Sequence, residues 1–115
     1  MAPDAIPALL EQIDELLAAT SSEEPDVLAH IERTLTDGYA HALSLEAKRL
    51  RLERRMSELA GELHEGNQDL KAKELGQLSR ELTQNGADLD ELRGTLSQLR
   101  ERATAVRSSA QILRS

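Results

Sequence analysis

The sequence has no cysteine, tryptophan or phenylalanine, and Tyr39 is its only aromatic residue. Without cysteine the chain can form neither disulfide bonds nor thiolate metal sites. Aromatic side chains normally fill much of a thick core, because each one buries a large apolar area. We therefore expect a thin core of leucine, isoleucine and alanine, of the kind that forms between paired helices.

Long apolar runs and an excess of basic residues are also missing. No segment approaches the length needed to cross a bilayer, and we expect no signal peptide at the acidic N-terminus. The formal net charge of −7 disfavours general binding to nucleic acids or anionic membranes, both of which select for lysine and arginine. These features predict a cytoplasmic protein with no membrane partner.

The most abundant residues, namely Leu, Ala, Glu and Arg, are good helix formers. Apolar residues recur at spacings of three and four, and no alternating strand pattern is found. Gly66 and Asn67 can both adopt positive φ and therefore predict a turn. The sequence predicts an all-α fold in a single domain over residues 1–115, with helices over 4–20, 23–65 and 69–114 and a turn over 66–68.

Heptads run along both long helices and predict an antiparallel coiled-coil hairpin. A register that places Met56 opposite Leu78 also sets small residues opposite large ones, including Gly38 opposite Leu96, as dense packing requires. Asp37-Gly38 and Asn85-Gly86 could each be a turn. Because the heptad phase continues through both, we favour local kinks, the second near residues 85–87.

Charge is distributed unevenly in a way that fits this hairpin. Residues 1–46 contain ten acidic residues and one basic residue, Arg33, whereas residues 92–115 contain five arginines and one acidic residue, Glu101. An antiparallel arrangement brings these segments together. The short first helix is expected to pack on the open end of the hairpin, giving a three-helix bundle and a two-helix stalk. Val27, Tyr39 and Leu43 would broaden the contact face of the second helix there.

One layer of the predicted seam is polar. The register places Arg49 opposite Asn85, and a buried polar layer of this kind can fix helix register. Alternatively, Arg49 extends to water along its aliphatic stem. The residue pattern alone does not separate these two interpretations.

Residues that could support catalysis or bind a metal are not grouped. His30, His41 and His64 are far apart, and no histidine pair or Glu-x-x-His motif has metal-binding spacing. No Gly-x-Ser-x-Gly or phosphate-binding Gly-x-x-x-x-Gly-Lys motif occurs. We therefore predict a protein that is not an enzyme and that binds no cofactor or metal.

One short segment of the second helix is rich in basic residues. It could bind an acidic partner or a phosphate backbone, or it could be a solvated helix face neutralised by nearby glutamates. We favour the solvated face, since nucleic-acid binders usually add a stronger basic field or stacking aromatics. The basic residues are Lys48, Arg49, Arg51, Arg54 and Arg55, and the glutamates are Glu46, Glu53, Glu58 and Glu81.

The leading functional hypothesis is a non-enzymatic interaction, scaffold or adaptor protein that acts by helix packing. Leu10, Leu50 and Leu70 lie outside the predicted seam, and a homodimer forming a four-helix bundle would cover them. A nucleic-acid accessory protein that uses residues 48–55 is a weaker alternative.

A further alternative rests on a resemblance. The helical hairpin with His64-Glu65-Gly66 at its turn resembles the Trp-x-Gly family of small secreted helical hairpins. The chain has histidine where that family has tryptophan, and no Tyr-x-x-x-Asp/Glu export motif stands at its C-terminus. The resemblance is confined to the turn and general shape, and it implies a small secreted effector.

Overall fold

The computed structural model contains three α-helices, which are α1 (Ala5–Ala19), α2 (Pro25–Glu62) and α3 (Gln68–Arg114). It describes the backbone of residues 5–19 and 25–114 and the side chains of residues 6–17 and 26–109. Within these residues there is no strand. The predicted all-α helical hairpin is confirmed. The outermost predicted helix positions 4, 20, 23 and 24, and the side chains of the heptad residues Ala110 and Leu113, lie outside the described residues.

The chain reverses between α2 and α3 at the predicted turn residues. Gly66 has a φ of 91° and Asn67 a φ of 52°, so both adopt the left-handed conformation that glycine and asparagine tolerate best. The backbone N–H of Lys71 donates to the carbonyl of Asn67 at 3.0 Å, which starts the hydrogen-bonding of α3. The predicted turn at Gly66-Asn67 is confirmed.

Helix α2 ends at Glu62, although the prediction continued it to residue 65. The N–H of Glu65 donates to the Glu62 carbonyl at 3.0 Å, a bond across three residues that tightens the chain after the last α-helical turn. Lys71 Nζ donates to the same carbonyl at 2.8 Å and so caps the C-terminus of α2 from the start of α3. Helix α3 begins at Gln68, one residue before the predicted start.

Neither of the two glycine-containing interruptions reverses the chain. Asp37-Gly38 lies inside α2 and Asn85-Gly86 inside α3, and both helices continue through them, including residues 85–87. At Gly38 the reason for glycine is steric. A Cβ built there would lie 2.3 Å from Leu96 Cδ2, so the missing side chain lets α3 approach α2 closely. The predicted pairing of Gly38 with Leu96 is confirmed.

The contacts of the chain form two compact units. The first comprises α1, residues 25–42 of α2 and residues 91–114 of α3, and here we call it the three-helix unit. Gln12 Nε2 donates to Thr34 Oγ1 at 3.3 Å, which joins α1 to α2, and Arg102 Nη2 donates to the Leu17 carbonyl at 3.3 Å, which joins α3 to α1. Its fully buried aliphatic side chains are Ile13, Ile31, Leu92, Leu96, Leu99 and Ala103.

The second unit, residues 43–90, contains the end of α2, the turn and the start of α3, and we call it the two-helix unit. Its core is a cluster formed by Leu52, Leu59 and Leu78, with Met56, Leu75 and Leu82 packed against it and only partly buried. These residues occupy the predicted heptad positions of both helices. The cluster therefore places the predicted seam residues of α2 and α3 together in this unit.

The broad contact face predicted from Val27, Tyr39 and Leu43 is not formed as expected. Val27 is half-buried, but the side chain of Tyr39 is 43% exposed and that of Leu43 is 66% exposed. Each of the two exposed residues directly follows a seam residue, Gly38 or Ala42. Successive helical residues are rotated by about 100°, so a side chain one position beyond the seam can point to solvent.

Candidate functional site

Asn85 is a buried polar residue in the two-helix unit, with 3% of its surface exposed. Its Nδ2 donates to the backbone carbonyl of Leu45 at 3.0 Å, which ties α3 to the backbone of α2. Its Oδ1 is buried and has no hydrogen-bond partner. An unpaired buried acceptor costs stability, and such residues can be retained because they fix helix register.

The predicted polar layer of Arg49 and Asn85 is wrong in one of its two members. The side chain of Arg49 is 53% exposed, and its Nε donates to Glu53 Oε1 at 2.9 Å, one turn further along α2. A guanidinium is costly to bury without a charged partner, and the long side chain allows it to reach solvent. The alternative interpretation of Arg49 therefore holds, and Asn85 bonds to backbone instead.

The predicted basic cluster is divided by ion pairs. Arg55 contacts Glu74 of α3 through two bonds, Nε to Oε1 at 3.1 Å and Nη2 to Oε2 at 3.4 Å, and contacts Glu58 at 3.4 Å. The cross-helix partner is thus Glu74, which is not among the four glutamates predicted to neutralise the cluster. Both Arg55 and Glu74 immediately precede an inward-facing heptad position, at Met56 and Leu75, and that shared flanking position was the available signal.

The Arg55–Glu74 pair also affects the ionisation of the arginine. The hydrogen bonds with Glu74 and the charge of its carboxylate raise the pKa of Arg55 above its already high usual value. Arg55 therefore stays charged across the ordinary pH range. It links α2 to α3 at a partly exposed position, where its guanidinium contacts Glu74 and Glu58.

The other basic residues of the cluster remain open to solvent. Lys48, Arg51 and Arg54 are exposed, and among the described residues none of them forms an ion pair. Arg51 and Arg54 lie on the side of α2 that faces away from the seam, and Lys48 flanks the seam one heptad before Arg55. Of the predicted glutamate partners, Glu53 contacts Arg49 and Glu58 contacts Arg55. Within the described part of the chain the other three cations have no carboxylate partner.

Large apolar side chains lie exposed on both long helices. Leu50 is 63% exposed and Leu70 is 68% exposed, and both had been placed outside the seam by the sequence analysis. Leu10, which had been grouped with them, is half-buried. Leu43, exposed to a similar degree, was missed because it had been assigned to a contact face.

A second apolar pattern on α2 accounts for Leu43 and Leu50 together. Ala40, Leu43, Ala47 and Leu50 are separated by three, four and three residues, and all four are exposed. This spacing places them on one side of the helix. We call this set the outer face of α2. It was missed because the sequence analysis assigned only one heptad to each helix, although a second heptad offset from the seam is visible in the sequence.

Groups suited to catalysis or metal binding do not converge in the part of the chain that the structure describes. No cluster of three or more His, Asp or Glu side chains that could hold a metal ion occurs there. A shallow depression of about 270 Å³ in the three-helix unit is lined by Leu17, Gln98, Glu101, Arg102 and Ala105. Its one cation, Arg102, is engaged with the Leu17 carbonyl.

Comparison with known proteins adds no family. No protein-family model, no curated protein and no solved structure matches this chain. The resemblance to the Trp-x-Gly family therefore stays a prediction. Among the described residues, no helix is both long and apolar enough to span a membrane. What the structure offers for function is the exposed surface of α2, apolar along its outer face and basic beside it.

Proposed function

We propose that this protein is a non-enzymatic interaction or scaffold protein of the cytoplasm that acts through helix–helix packing and associates with itself. The observation that carries the proposal is the exposure of Leu43 and Leu50 on α2, at 66% and 63%. Both follow a helical repeat that is separate from the buried seam. The absence of cysteine suits a reducing compartment.

The physical argument concerns surface that the monomer leaves in water. Scattered single hydrophobic residues are common on protein surfaces, but residues in a regular helical repeat form the kind of face that packs against another helix. Burying one leucine side chain contributes about 1.5–3 kcal/mol. In a closed two-fold dimer one contact covers the exposed leucines of both copies. Self-association is therefore the simplest way to bury them.

Sedimentation velocity over a range of concentrations, from low to high micromolar, tests the proposal. We expect the weight-average mass to rise from monomer towards dimer. Leu43→Glu should shift this transition to higher concentration, because it places a charge in the contact. The matched control is Ala87→Glu, which adds the same charge at an exposed position of α3. A strict monomer at high micromolar concentration would contradict self-association.

A second candidate is binding of a nucleic acid through Lys48, Arg51 and Arg54, supported by their exposure and their lack of ion pairs among the described residues. Such binding should weaken steeply as salt increases. Fluorescence anisotropy with a labelled single-stranded RNA and a DNA duplex at low salt tests it. The double variant Arg51→Gln and Arg54→Gln should lose most of any binding, and no binding by the natural protein dismisses this candidate.

A further inference from the structure

The outer face of α2 alternates small and large apolar residues. Ala40 and Ala47 are separated by seven residues, as are Leu43 and Leu50, and the two series are offset by three residues. Along this face Leu43 therefore lies between Ala40 and Ala47, and Leu50 follows Ala47. A face of this kind has projections and recesses at regular intervals.

We propose that the outer face of α2 packs against the same face of a second copy in antiparallel orientation, with Leu43 of each copy opposite Ala47 of the other. This inference rests on the proposed self-association and specifies its surface, direction and register. The two copies are related by a two-fold axis near the level of residue 45. The partner is thus a second copy of this chain.

Packing favours this direction and register. When Leu43 lies opposite Ala47 of the second copy, Leu50 lies opposite Ala40, so every layer contains one large and one small side chain. A parallel arrangement would place leucine opposite leucine and alternate tight layers with voids. Layers of constant volume pack more densely. The chain already uses this rule within itself, where Leu96 fills the space left by Gly38.

Charge complementarity supports the same arrangement. Along one edge of the outer face lie Asp37, Ser44 and Arg51, all exposed. In the antiparallel register Arg51 of each copy lies beside Asp37 of the other, offset by about 3 Å along the helix axis. Among the described residues neither side chain has an ion pair within its own chain.

The opposite edge limits the strength of the dimer. There the two Glu46 residues of the dimer lie close together. Two like charges that are close to each other oppose association. The apolar contact also contains just two leucines per copy, fewer than in a large obligate interface. We therefore expect a reversible dimer that is populated at micromolar concentrations and is strengthened by Glu46→Gln.

Spin labels on single cysteines measure the direction of packing. The natural chain has no cysteine, and Ser44 and Ser57 are both exposed on α2. In the proposed dimer the two Ser44 positions lie next to the two-fold axis, whereas the two Ser57 positions are about 36 Å apart along the helix axis. Ser44→Cys is therefore the test position, and Ser57→Cys is its matched control.

Double electron–electron resonance on each labelled variant, at a concentration where sedimentation shows dimer, should give a short distance for Ser44→Cys and a long one for Ser57→Cys. Short distances at both positions would indicate a parallel dimer and overturn this inference, while self-association would stand. Long distances at both would place the contact elsewhere on the molecule and also overturn it. A monomer in sedimentation would overturn both the inference and the proposed self-association.

A charge exchange tests the register without relying on labels. Arg51→Asp and Asp37→Arg should each weaken the dimer about fivefold, since each removes two symmetric pairs and adds repulsion. The double variant should recover most of the loss, because it restores both pairs with the charges reversed. Both positions are exposed, so the monomer should remain folded, as circular dichroism can verify. Failure of the double variant to recover would overturn the pairing of Arg51 with Asp37.

Discussion

The three-helix unit and the two-helix unit bury the same leucine heptads to different depths. In the three-helix unit Leu92 and Leu99 have no exposed surface. In the two-helix unit Leu59 and Leu89 are almost as well buried, at 1%, but Leu52 is 9% exposed, and Met56 and Leu82 are only partly buried. A seam between two helices is open along both edges, and a third helix closes one of them. In the three-helix unit α1 supplies that third helix, and Ile13 of α1 is fully buried there.

The buried polar residues of the two units also differ, in how completely their side chains are hydrogen-bonded. Thr34, buried in the three-helix unit, receives a hydrogen bond from Gln12 of α1. Asn85, buried in the two-helix unit, has one polar atom bonded to the Leu45 carbonyl and one without a partner. A third helix brings side chains that can satisfy a buried polar group. In the two-helix unit, Asn85 is bonded only to a backbone carbonyl.

The largest expected difference is between leucines in the two seams. Leu99→Ala should lower the free energy of unfolding by about 4 kcal/mol, because it leaves a cavity in a fully enclosed site. Leu78→Ala, at a 7% exposed position of the two-helix unit, should cost about 2 kcal/mol, since neighbouring side chains and water can fill the space. Urea denaturation followed by circular dichroism measures both. Equal losses would contradict the difference between the units.

The next largest effect concerns the close contact at Gly38. Gly38→Ala should destabilise the protein by about 1–2 kcal/mol, because the new Cβ would meet the buried side chain of Leu96. Gly94→Ala is the matched control in the same unit, since a Cβ there meets nothing within 4 Å. The control should stabilise by about 1 kcal/mol through helix propensity. Thermal denaturation of both variants gives the comparison, and stabilisation by Gly38→Ala would show that the helices separate easily.

Replacing Asn85 tests how much stability its unpaired buried oxygen costs the two-helix unit. Asn85→Leu should stabilise the fold by about 1 kcal/mol, because it removes the unpaired buried Oδ1. It should also loosen the register, which amide hydrogen exchange in α2 and α3 would detect as reduced protection. Asn85→Ala serves as the control and should destabilise, since it removes the same polar atoms but leaves a void. If Asn85→Leu loses stability, the hydrogen bond from Asn85 to the Leu45 carbonyl stabilises the fold by more than the unpaired Oδ1 destabilises it.

The smallest effect is expected from the cross-helix ion pair of the two-helix unit. Arg55→Gln should lower the unfolding midpoint slightly at low salt, and the difference should shrink as salt is added, because both Arg55 and Glu74 are partly exposed. Arg54→Gln, which removes a cation with no ion pair among the described residues, is the control and should leave the midpoint unchanged. An effect of Arg55→Gln that persists in high salt would indicate packing by its aliphatic stem.

Much of the backbone could be predicted because it depends on local and periodic signals. The turn at Gly66-Asn67 follows from two residues that tolerate positive φ, and the pairing of Gly38 with Leu96 follows from continuous heptads. Caps formed by side chains from another helix, such as Lys71 on the end of α2, leave no periodic signal. This is why the end of α2 was predicted three residues too late.

The polar details of the candidate site were less predictable for a related reason. A heptad assigns Arg49 to the seam, but a long flexible side chain can choose between several partners, and Glu53 lies within its reach on the same helix. Glu74 and Glu81 are one heptad apart and therefore occupy the same heptad position on α3. The sequence alone does not distinguish them as partners of Arg55. The outer face of α2 was visible in the sequence but could be recognised as unpaired only after the seam had been located.

The hydrogen bonds that join the helices have a consequence for the order in which the chain folds. They span increasing sequence separations, from Lys71 to Glu62 (9 residues) and Arg55 to Glu74 (19) to Asn85 to Leu45 (40) and Arg102 to Leu17 (85). Loop-closure entropy rises with separation, so contacts near the turn are the least costly to form first. Mutations beside the turn should therefore change the folding rate, and mutations in α1 should change mainly the rate of unfolding.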